Sequence, residues 1–336
     1  MIAVDGHIRV DTIMAGKFRR YNKLPLIQQL LRLRTIVFPN IIDGAKLIVG
    51  TLQSIVKLLV WRPDVVFSKG GFVCLPVGVA AYILRIPVVI HDSDAHPGLT
   101  SRILARWAVS IATGAPLKYY SYPKKKTTYI GIPVASTAKP LSLAKQRDAK
   151  KLIGVNEHEP LVVITGGGLG AKSINDSVVK VLPDLLTFSS VVLVAGKANV
   201  DHIKTQVKAA PNLKLYGYVA SDAMQQMLGA ADMVVTRAGA TTLLELAALA
   251  KPSIIIPNEY LTGGHQVKNA RVYEQAKAAI IIDDTELQSR PLVLVDTINA
   301  TLLHKPTLER LSKNIHGFAK PNAAKDMAAI IVKAAS

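Results

Sequence analysis

The feature that most restricts this chain is an alternation that begins near residue 64. Short, predominantly apolar runs at 64–68, 87–91, 161–165, 191–195, 233–236 and 253–257 read as strands buried on both faces. Segments with apolar residues at helical spacing lie between them, at 75–84, 99–108, 172–185, 222–228, 241–249 and 265–276. Two parallel strands need a long crossover, usually a helix, so this alternation predicts parallel sheets of the α/β class. Aromatics are only 5% of the 336 residues; Val, Ile, Leu and Ala supply the apolar mass, as buried parallel strands require.

A chain of this length suggests two domains. The first strand–helix unit ends near residue 133. A polar stretch over 134–160, with a charged helical segment at 143–152 and Gly154, reads as the linker into a second unit. The predicted organisation is a Rossmann-like domain over 1–140, a second over 141–318, and an apolar C-terminal helix in 319–336 that packs back on the first. The lone cysteine, Cys74, excludes an internal disulfide and a Cys-rich zinc site, fits a reducing compartment, and is expected to be a small core residue.

With 41 Lys and Arg against 23 Asp and Glu, the net charge is +18, which favours anionic partners: nucleic acid, anionic lipid or phosphate-bearing substrates. The charge is concentrated. Nine basic residues fall between Lys17 and Arg62 against one acid, Asp43, and Phe18 and many Leu and Ile are interleaved with them. From Asn40 the pattern becomes helical, with Asp43, Lys46, Gly50, Gln53, Ser54 and Lys57 mostly three or four apart in an apolar background. Basic residues beside exposed apolar ones suit a helix lying in a membrane interface, with Lys17, Phe18, Arg19, Arg20, Lys23, Arg32 and Arg34 as the patch. No helix-turn-helix or RNA-binding signature accompanies the charge, so nucleic acid is not expected as a partner. No uninterrupted apolar stretch of about 18 residues exists, so no membrane-crossing helix is expected, and the N-terminus lacks a signal-peptide pattern.

Three turns carry the chemistry. Residues 165–171, Thr-Gly-Gly-Gly-Leu-Gly-Ala, join a strand to a helix; Gly167 and Gly168 let the backbone approach a phosphate at a helix N-terminus. The spacing to Lys172-Ser173 is wrong for a P-loop. Residues 237–245, Arg-Ala-Gly-Ala-Thr-Thr-Leu-Leu-Glu, follow another strand. Gly239 permits the turn, the amides from Ala240 to Thr242 face a diphosphate, and Glu245 can accept both hydroxyls of a ribose. Residues 263–270 place Gln266 and Asn269 on one helix face, where amides can read sugar hydroxyls. In a doubly wound sheet all three turns fall at the carboxyl end of the strands, where such sheets bind ligands.

Together these residues resemble a known family. The run RAGATTLLELAALAKPSIIIPNEYLTGGHQVKNA (237–270) is similar to the donor-sugar signature of MurG, the peptidoglycan glycosyltransferases that add N-acetylglucosamine to lipid-linked muramoyl-pentapeptide. GGGLGA (166–171) resembles the family's second-domain glycine loop, and SKGGFVCLPVGVAAYILRIPVVIHDSDAHPGLTSRILA (68–105) its acceptor loop and the strand and helix that follow. The resemblance covers roughly residues 8–335. It implies a GT-B fold, two Rossmann-like domains with parallel sheets facing a central cleft, and an inverting transfer from UDP-N-acetylglucosamine to a polyprenyl-diphosphate-linked acceptor, with no cofactor and no metal, at the cytoplasmic face of the plasma membrane. Glu245 would hold the ribose, Thr241 and Thr242 the diphosphate, and His265 and Gln266 the sugar. Gly167, Gly168, Arg237, Gly239, Ala240 and Asn269 complete the donor side, and Lys69, Gly70, Gly71, His91 and Asp94 form the acceptor side.

The sequence also departs from the family. An opening strand with a Gly-Gly-Thr-Gly-Gly-His loop, whose histidine is a candidate base, is not present; Gly6-His7 is a poor substitute, and about 50 preceding residues are expected because a Rossmann unit needs its first strand. Asp92-Ser93-Asp94 stands for Glu-Gln-Asn, Ala135 for an arginine, and Gly168 for a serine. Asp92 and Asp94 are therefore the remaining candidates for the base. An Asp-x-Asp can also hold a divalent cation, but this one lies in the first unit, away from the nucleotide loops; contact with the acceptor, or a helix cap by Asp94, is the expectation. Three rivals remain: another lipid-directed GT-B transferase of the diacylglycerol type, a truncated module that binds UDP-sugar or membrane without turnover, and a nucleotide-sugar epimerase.

Overall fold

The computed structural model describes residues 10–18, 31–168, 170–260 and 264–336. The chain divides into two compact units. The first comprises residues 1–92, 96–129 and 325–336, the second 93–95 and 130–324. The change of unit comes at 129/130, ahead of the expected 140, because the chain leaves the first sheet directly from its last strand.

In the first unit, strands β1 (Val66–Ser68), β2 (Val88–Asp92), β3 (Ser110–Thr113) and β4 (Thr127–Tyr129) form one parallel sheet in sequential order. Helices α1 (Phe38–Trp61), α2 (Cys74–Ile83) and α3 (Leu99–Leu104) belong to the same unit. The core joins Leu58, Leu75, Ala80, Ile90, Leu104 and Ile111. Cys74 is half-buried at the start of α2, where its Sγ donates to Gly70 O, so it is not a core residue.

Helix α1 corrects one expectation. The helical run Leu33–Trp61 spans 29 residues and is long and apolar enough to cross a membrane. Asp43, Lys46 and Lys57 interrupt the apolar sequence without breaking the helix: Asp43 pairs with Lys46 at 3.7 Å, and Lys57 with Asp11 at 3.0 Å. The side that α1 buries is small or polar at Asp43, Gly50 and Ser54 and joins the hydrophobic core at Leu58. Residues 10–18 lie against that side. A Cβ on Gly50 would come 1.8 Å from Met14 O, and one on Gly16 would come 2.0 Å from Asp43 O, so both positions must be glycine.

The second unit contains β5 (Leu161–Thr165), β6 (Ser190–Val194), β7 (Leu213–Tyr216), β8 (Met233–Thr236), β9 (Ser253–Ile255) and β10 (Ile280–Ile281), ordered β10-β9-β8-β5-β6-β7 and all parallel. Its helices are α4 (Leu143–Ile153), α5 (Lys172–Leu185), α6 (Val200–Lys204), α7 (Ser221–Ala230), α8 (Ala240–Ala248), α9 (His265–Gln275), α10 (Asp284–Ser289), α11 (Leu292–Leu303) and α12 (Lys305–His316); α13 (Ala323–Ala335) follows, most of it grouped with the first unit. The chain winds one way from β5 to β7 and the other way from β8 to β10. The order reverses between β5 and β8, and doubly wound sheets bind ligands beyond the strand ends at such a reversal. Leu161, Val162, Val163 and Ile164 are fully buried, as a strand covered on both faces requires.

At the opposite end of this sheet a buried charged cluster ties α4 to the strands. Lys150 Nζ pairs with Asp232 Oδ2 at 2.6 Å and donates to Glu159 O, while Gln146 Nε2 donates to Asp232 Oδ1 and to Ala231 O. Lys251 Nζ also donates to Ala231 O, and burial holds its pKa down at about 8; Asp232 partly opposes this and Lys150 adds to it. An amine whose folded pKa lies below its unfolded 10.5 costs stability in its charged form, and that cost is relieved as pH rises from about 8 to 10.5. Replacing Lys251 by Met leaves Ala231 O bonded to Gln146 and Asp232 paired with Lys150. Lys251→Met is therefore expected to stabilise the fold by roughly 1–3 kcal/mol at pH 7, with the advantage shrinking between pH 8 and 10.5, as read by urea unfolding across pH.

Candidate functional site

The register of the second sheet places two sequence-predicted turns side by side, for Thr165 at the end of β5 is paired with Thr236 at the end of β8. After Thr165 the chain turns through glycines with φ of +84° at Gly167 and +77° at Gly170. A Cβ on Gly170 would come 2.1 Å from Ala195 O, so the loop packs as closely on the end of β6 as backbone allows. Thr165 Oγ1 accepts from the Gly167 amide at 3.2 Å, and α5 then starts at Lys172. After Thr236, Gly239 serves as the N-cap of α8 without a side-chain cap, which leaves the first amides of that helix for another acceptor.

Two cavities adjoin the glycine loop. The first, about 440 Å³, has Gly167, Gly168, Thr242, Glu245 and Tyr218 in its wall, together with Ala135. The second, about 660 Å³, is lined by Gly166, Gly168, Gly170, Asn258, Tyr260 and Gln266 among others. Gly168 belongs to both walls. Burial raises the pKa of Glu245, as it does for a carboxylate withdrawn from water without a cation beside it. Gln266 accepts from the Asn258 amide at 2.9 Å, which fixes its side chain on the second cavity. Thr241 is exposed and lines neither cavity, whereas His265 is half-buried at the first position of α9.

Two residues expected among the donor contacts are held by protein partners. Arg237, 7% exposed, pairs through Nη1 with Asp284 at 3.0 Å, donates to Ile256 O at 3.0 Å, and donates through Nη2 to Ser173 Oγ. It thus clamps the start of α5, the end of β9 and the start of α10 to the turn after β8. Asn269 is 3% exposed: it donates to Ala238 O and to Asp94 Oδ1 and accepts from the Ala95 amide, residues 93–95 being part of this unit. Asp94 therefore does not cap α3, whose N-cap is Gly98.

In the first unit, Gly70 and Gly71 adopt φ of +80° and +85° and form the turn between β1 and α2, beside exposed Lys69. His91 and Asp92 are buried at the carboxyl end of β2. Of the basic patch, Lys17, Arg32 and Arg34 are exposed, while Phe18 packs against the first unit's core; Arg19, Arg20 and Lys23 lie outside the described residues.

Tyr218, Val219, Met224 and Gln225 also line the first cavity, and sequence reasoning did not find them. They follow β7, whose Lys214 disguises a short edge strand. The signal was Gly217 before an aromatic residue: a Cβ there would meet Val200 at 2.7 Å. Lys197 Nζ stands 4.7 Å from the Tyr218 ring centre, a cation at the edge of this wall.

Comparison with known proteins identifies the family. Residues 7–113 match the glycosyltransferase family 28 N-terminal domain and residues 161–327 the glycosyltransferase family 28 C-terminal domain. The UDP-N-acetylglucosamine--N-acetylmuramyl-(pentapeptide) pyrophosphoryl-undecaprenol N-acetylglucosamine transferase of Acetivibrio thermocellus is 34% identical over 279 residues, 81% of this chain and 73% of that protein. The chain belongs to the MurG family. In structure it is similar to MurG of Acinetobacter baumannii, with a TM-score of 0.70 at 24% identity, covering 87% of this chain and 79% of the other. It is also similar to the UDP-GlcNAc 2-epimerase of Neisseria meningitidis, with a TM-score of 0.63 at 14% identity over 85% and 82% of the two chains. These likenesses show the GT-B fold that MurG proteins share with such epimerases; membership in the transferase family rests on the sequence relatives.

The buried Arg237–Asp284 pair gives the site its own stability prediction. Asp284→Ala leaves a guanidinium buried without its counter-charge and is expected to cost about 3–5 kcal/mol by urea unfolding. Replacing both partners, as Arg237→Met with Asp284→Leu, is expected to cost less than that single change.

Proposed function

We infer that the chain transfers N-acetylglucosamine from UDP-N-acetylglucosamine to an undecaprenyl-diphosphate-linked muramoyl-pentapeptide. The observation that carries this reading is the pair of cavities sharing Gly168 at the strand reversal, in a chain of the MurG family. In it the nucleoside lies in the smaller cavity, with its ribose on Glu245. The diphosphate crosses Gly168 towards the N-terminus of α8 and Thr242, and the sugar meets Gln266 in the larger cavity. His265 and Thr241 stand at the margins of this arrangement, and Lys69, Gly70 and Gly71 are the acceptor's turn in the first unit.

The chemistry is a single displacement. The acceptor hydroxyl attacks the anomeric carbon and UDP departs. Helix N-terminal amides and the Thr242 hydroxyl stabilise the charge that grows on the diphosphate, the work a metal does in other sugar transferases. No metal is required in this reading. Glu245→Ala is expected to weaken UDP-N-acetylglucosamine binding about 10- to 100-fold in isothermal titration, in proportion to the loss of hydrogen bonds to a charged group. EDTA is expected to leave the wild-type affinity unchanged. Equal binding by wild type and variant would remove Glu245 from the donor site.

The acceptor is a lipid, and α1 supports docking at the cytoplasmic face of the plasma membrane as a peripheral protein. Its outward side carries Ile41, Ile48, Leu52, Val56, Val60 and Trp61, each more than half exposed, beside the exposed basic residues Arg32 and Arg34. Leu52→Asp with Val56→Asp is expected to abolish co-flotation with vesicles containing phosphatidylglycerol without lowering the melting temperature, because both side chains already face outward. Retained flotation would point to another surface.

A further inference from the structure

A nucleoside diphosphate brings at least two negative charges, and the walls of the two cavities offer few positive ones. Among the described residues the smaller cavity is lined by no lysine, arginine or histidine, and the larger by two cations, Arg237 and Lys172. Arg237 is neutralised by Asp284 in a buried pair. Lys172 stands at the wall of the larger cavity with Gly166, Gly168 and Gly170, and its charge is committed far less firmly.

Lys172 opens α5, and its Nζ pairs with Asp176 one turn along the same helix. Both side chains are exposed, Lys172 at 75% and Asp176 at 47%, and a pair of this kind is worth little in water. Its order is also unfavourable. A helix has its positive end at the N-terminus, so the acid of such a pair is preferred first and the lysine second. Here the lysine comes first, and α5 has neither an acidic residue in its first turn nor a side-chain cap. Lys172 thus sits against the preference of its own helix, a kind of local conflict that proteins keep at functional positions. The next residue is fixed: Ser173 Oγ donates to Asp284 Oδ1 and accepts from Arg237. The backbone that carries Lys172 is therefore anchored by the buried ion pair, and the long side chain can leave Asp176 without disturbing the turn.

We propose that Lys172 exchanges Asp176 for the terminal phosphate of a uridine diphosphate, the phosphate that carries the sugar. This rests on the donor-site reading above, in which the diphosphate crosses Gly168. An ammonium group is a compact charge with three rotatable donors on a flexible stem, suited to a phosphate that is gripped and then let go. The phosphate next to the ribose, beside a cavity lined by no cation among the described residues, is left to backbone amides and the Thr242 hydroxyl.

The test is isothermal titration of the full chain with UDP and with UMP. Lys172→Gln is expected to weaken UDP binding about 10-fold, the effect of removing one charge-assisted hydrogen bond, with UMP binding and the melting temperature of the free protein unchanged. Lys172→Arg is expected to keep most of the affinity for UDP. Asp176→Asn breaks the same ion pair, yet it is expected to tighten UDP binding a few-fold, because the competitor for the ammonium is gone. In the Lys172→Gln background Asp176→Asn is expected to lose that effect. Equal UDP affinity in wild type and Lys172→Gln, an equal loss for UDP and UMP, or weaker UDP binding by Asp176→Asn overturns the inference and leaves the transferase reading standing. Failure of the wild-type chain to bind UDP or UDP-N-acetylglucosamine overturns the donor-site reading, and this inference with it.

Discussion

The reversal of strand order between β5 and β8 is the constraint on which the rest of the second unit depends. A parallel sheet that winds in one direction sends each crossover over the ends of its own strands. At the reversal the two connections diverge and leave the strand ends open. The sheet places Thr165 and Thr236 side by side there, so the glycine loop and the turn after β8 face the same space. Helix N-termini then supply amides with no intrahelical partner, and close backbone packing leaves only glycine able to occupy Gly166 and Gly170. The two cavities follow from this topology more than from any single side chain.

A buried cation maintains that geometry. Arg237 is adjacent to the turn it serves, and its guanidinium is held by Asp284, Ser173 and Ile256 at the wall of the second cavity. The interaction joins elements that are far apart in sequence and fixes the relative height of the two loops. Hydrophobic residues of similar volume could fill the space at less desolvation cost. An ion pair with a third, neutral partner instead specifies direction, which a site built from backbone amides requires. In the first unit α1 follows a complementary logic: its buried side meets residues 10–18 at Asp43 and Gly50 and the hydrophobic core at Leu58, and a row of large apolar side chains faces outward.

Much of this was legible in the sequence. Strands at 161–165 and 233–236 and the helix at 172–185 occur where the apolar pattern put them, because each is buried throughout or amphipathic along its whole length. The glycine loop, the turn carrying Thr242 and Glu245, and Gln266 were singled out in the sequence by residue type and spacing, and the structure lines the two cavities with them. The strands β3, β4, β7 and β10 were not legible. β3 and β4 are rich in Ser and Thr and β7 contains Lys214, so none of these presents an uninterrupted apolar run, while β10 is only two residues long within the apolar run 278–282 that directly follows a helix. The protein partners of Arg237 and Asn269 were hidden for another reason: a polar residue beside a turn looks the same in sequence whether it is free or held by the protein, and Arg237 is held by Asp284 while also lining the second cavity. Asp92 differs again, since its partner Tyr122 lies thirty positions away and only the fold brings them together.

The central claim is that a uridine diphosphate sugar spans the two cavities across Gly168. A crystal structure of the chain with UDP-N-acetylglucosamine tests it most directly. The account predicts the ribose against Glu245, the diphosphate over Gly168 at the N-terminus of α8, and the sugar beside Gln266. A nucleotide bound elsewhere, or density in only one cavity with Gly168 untouched, would contradict it.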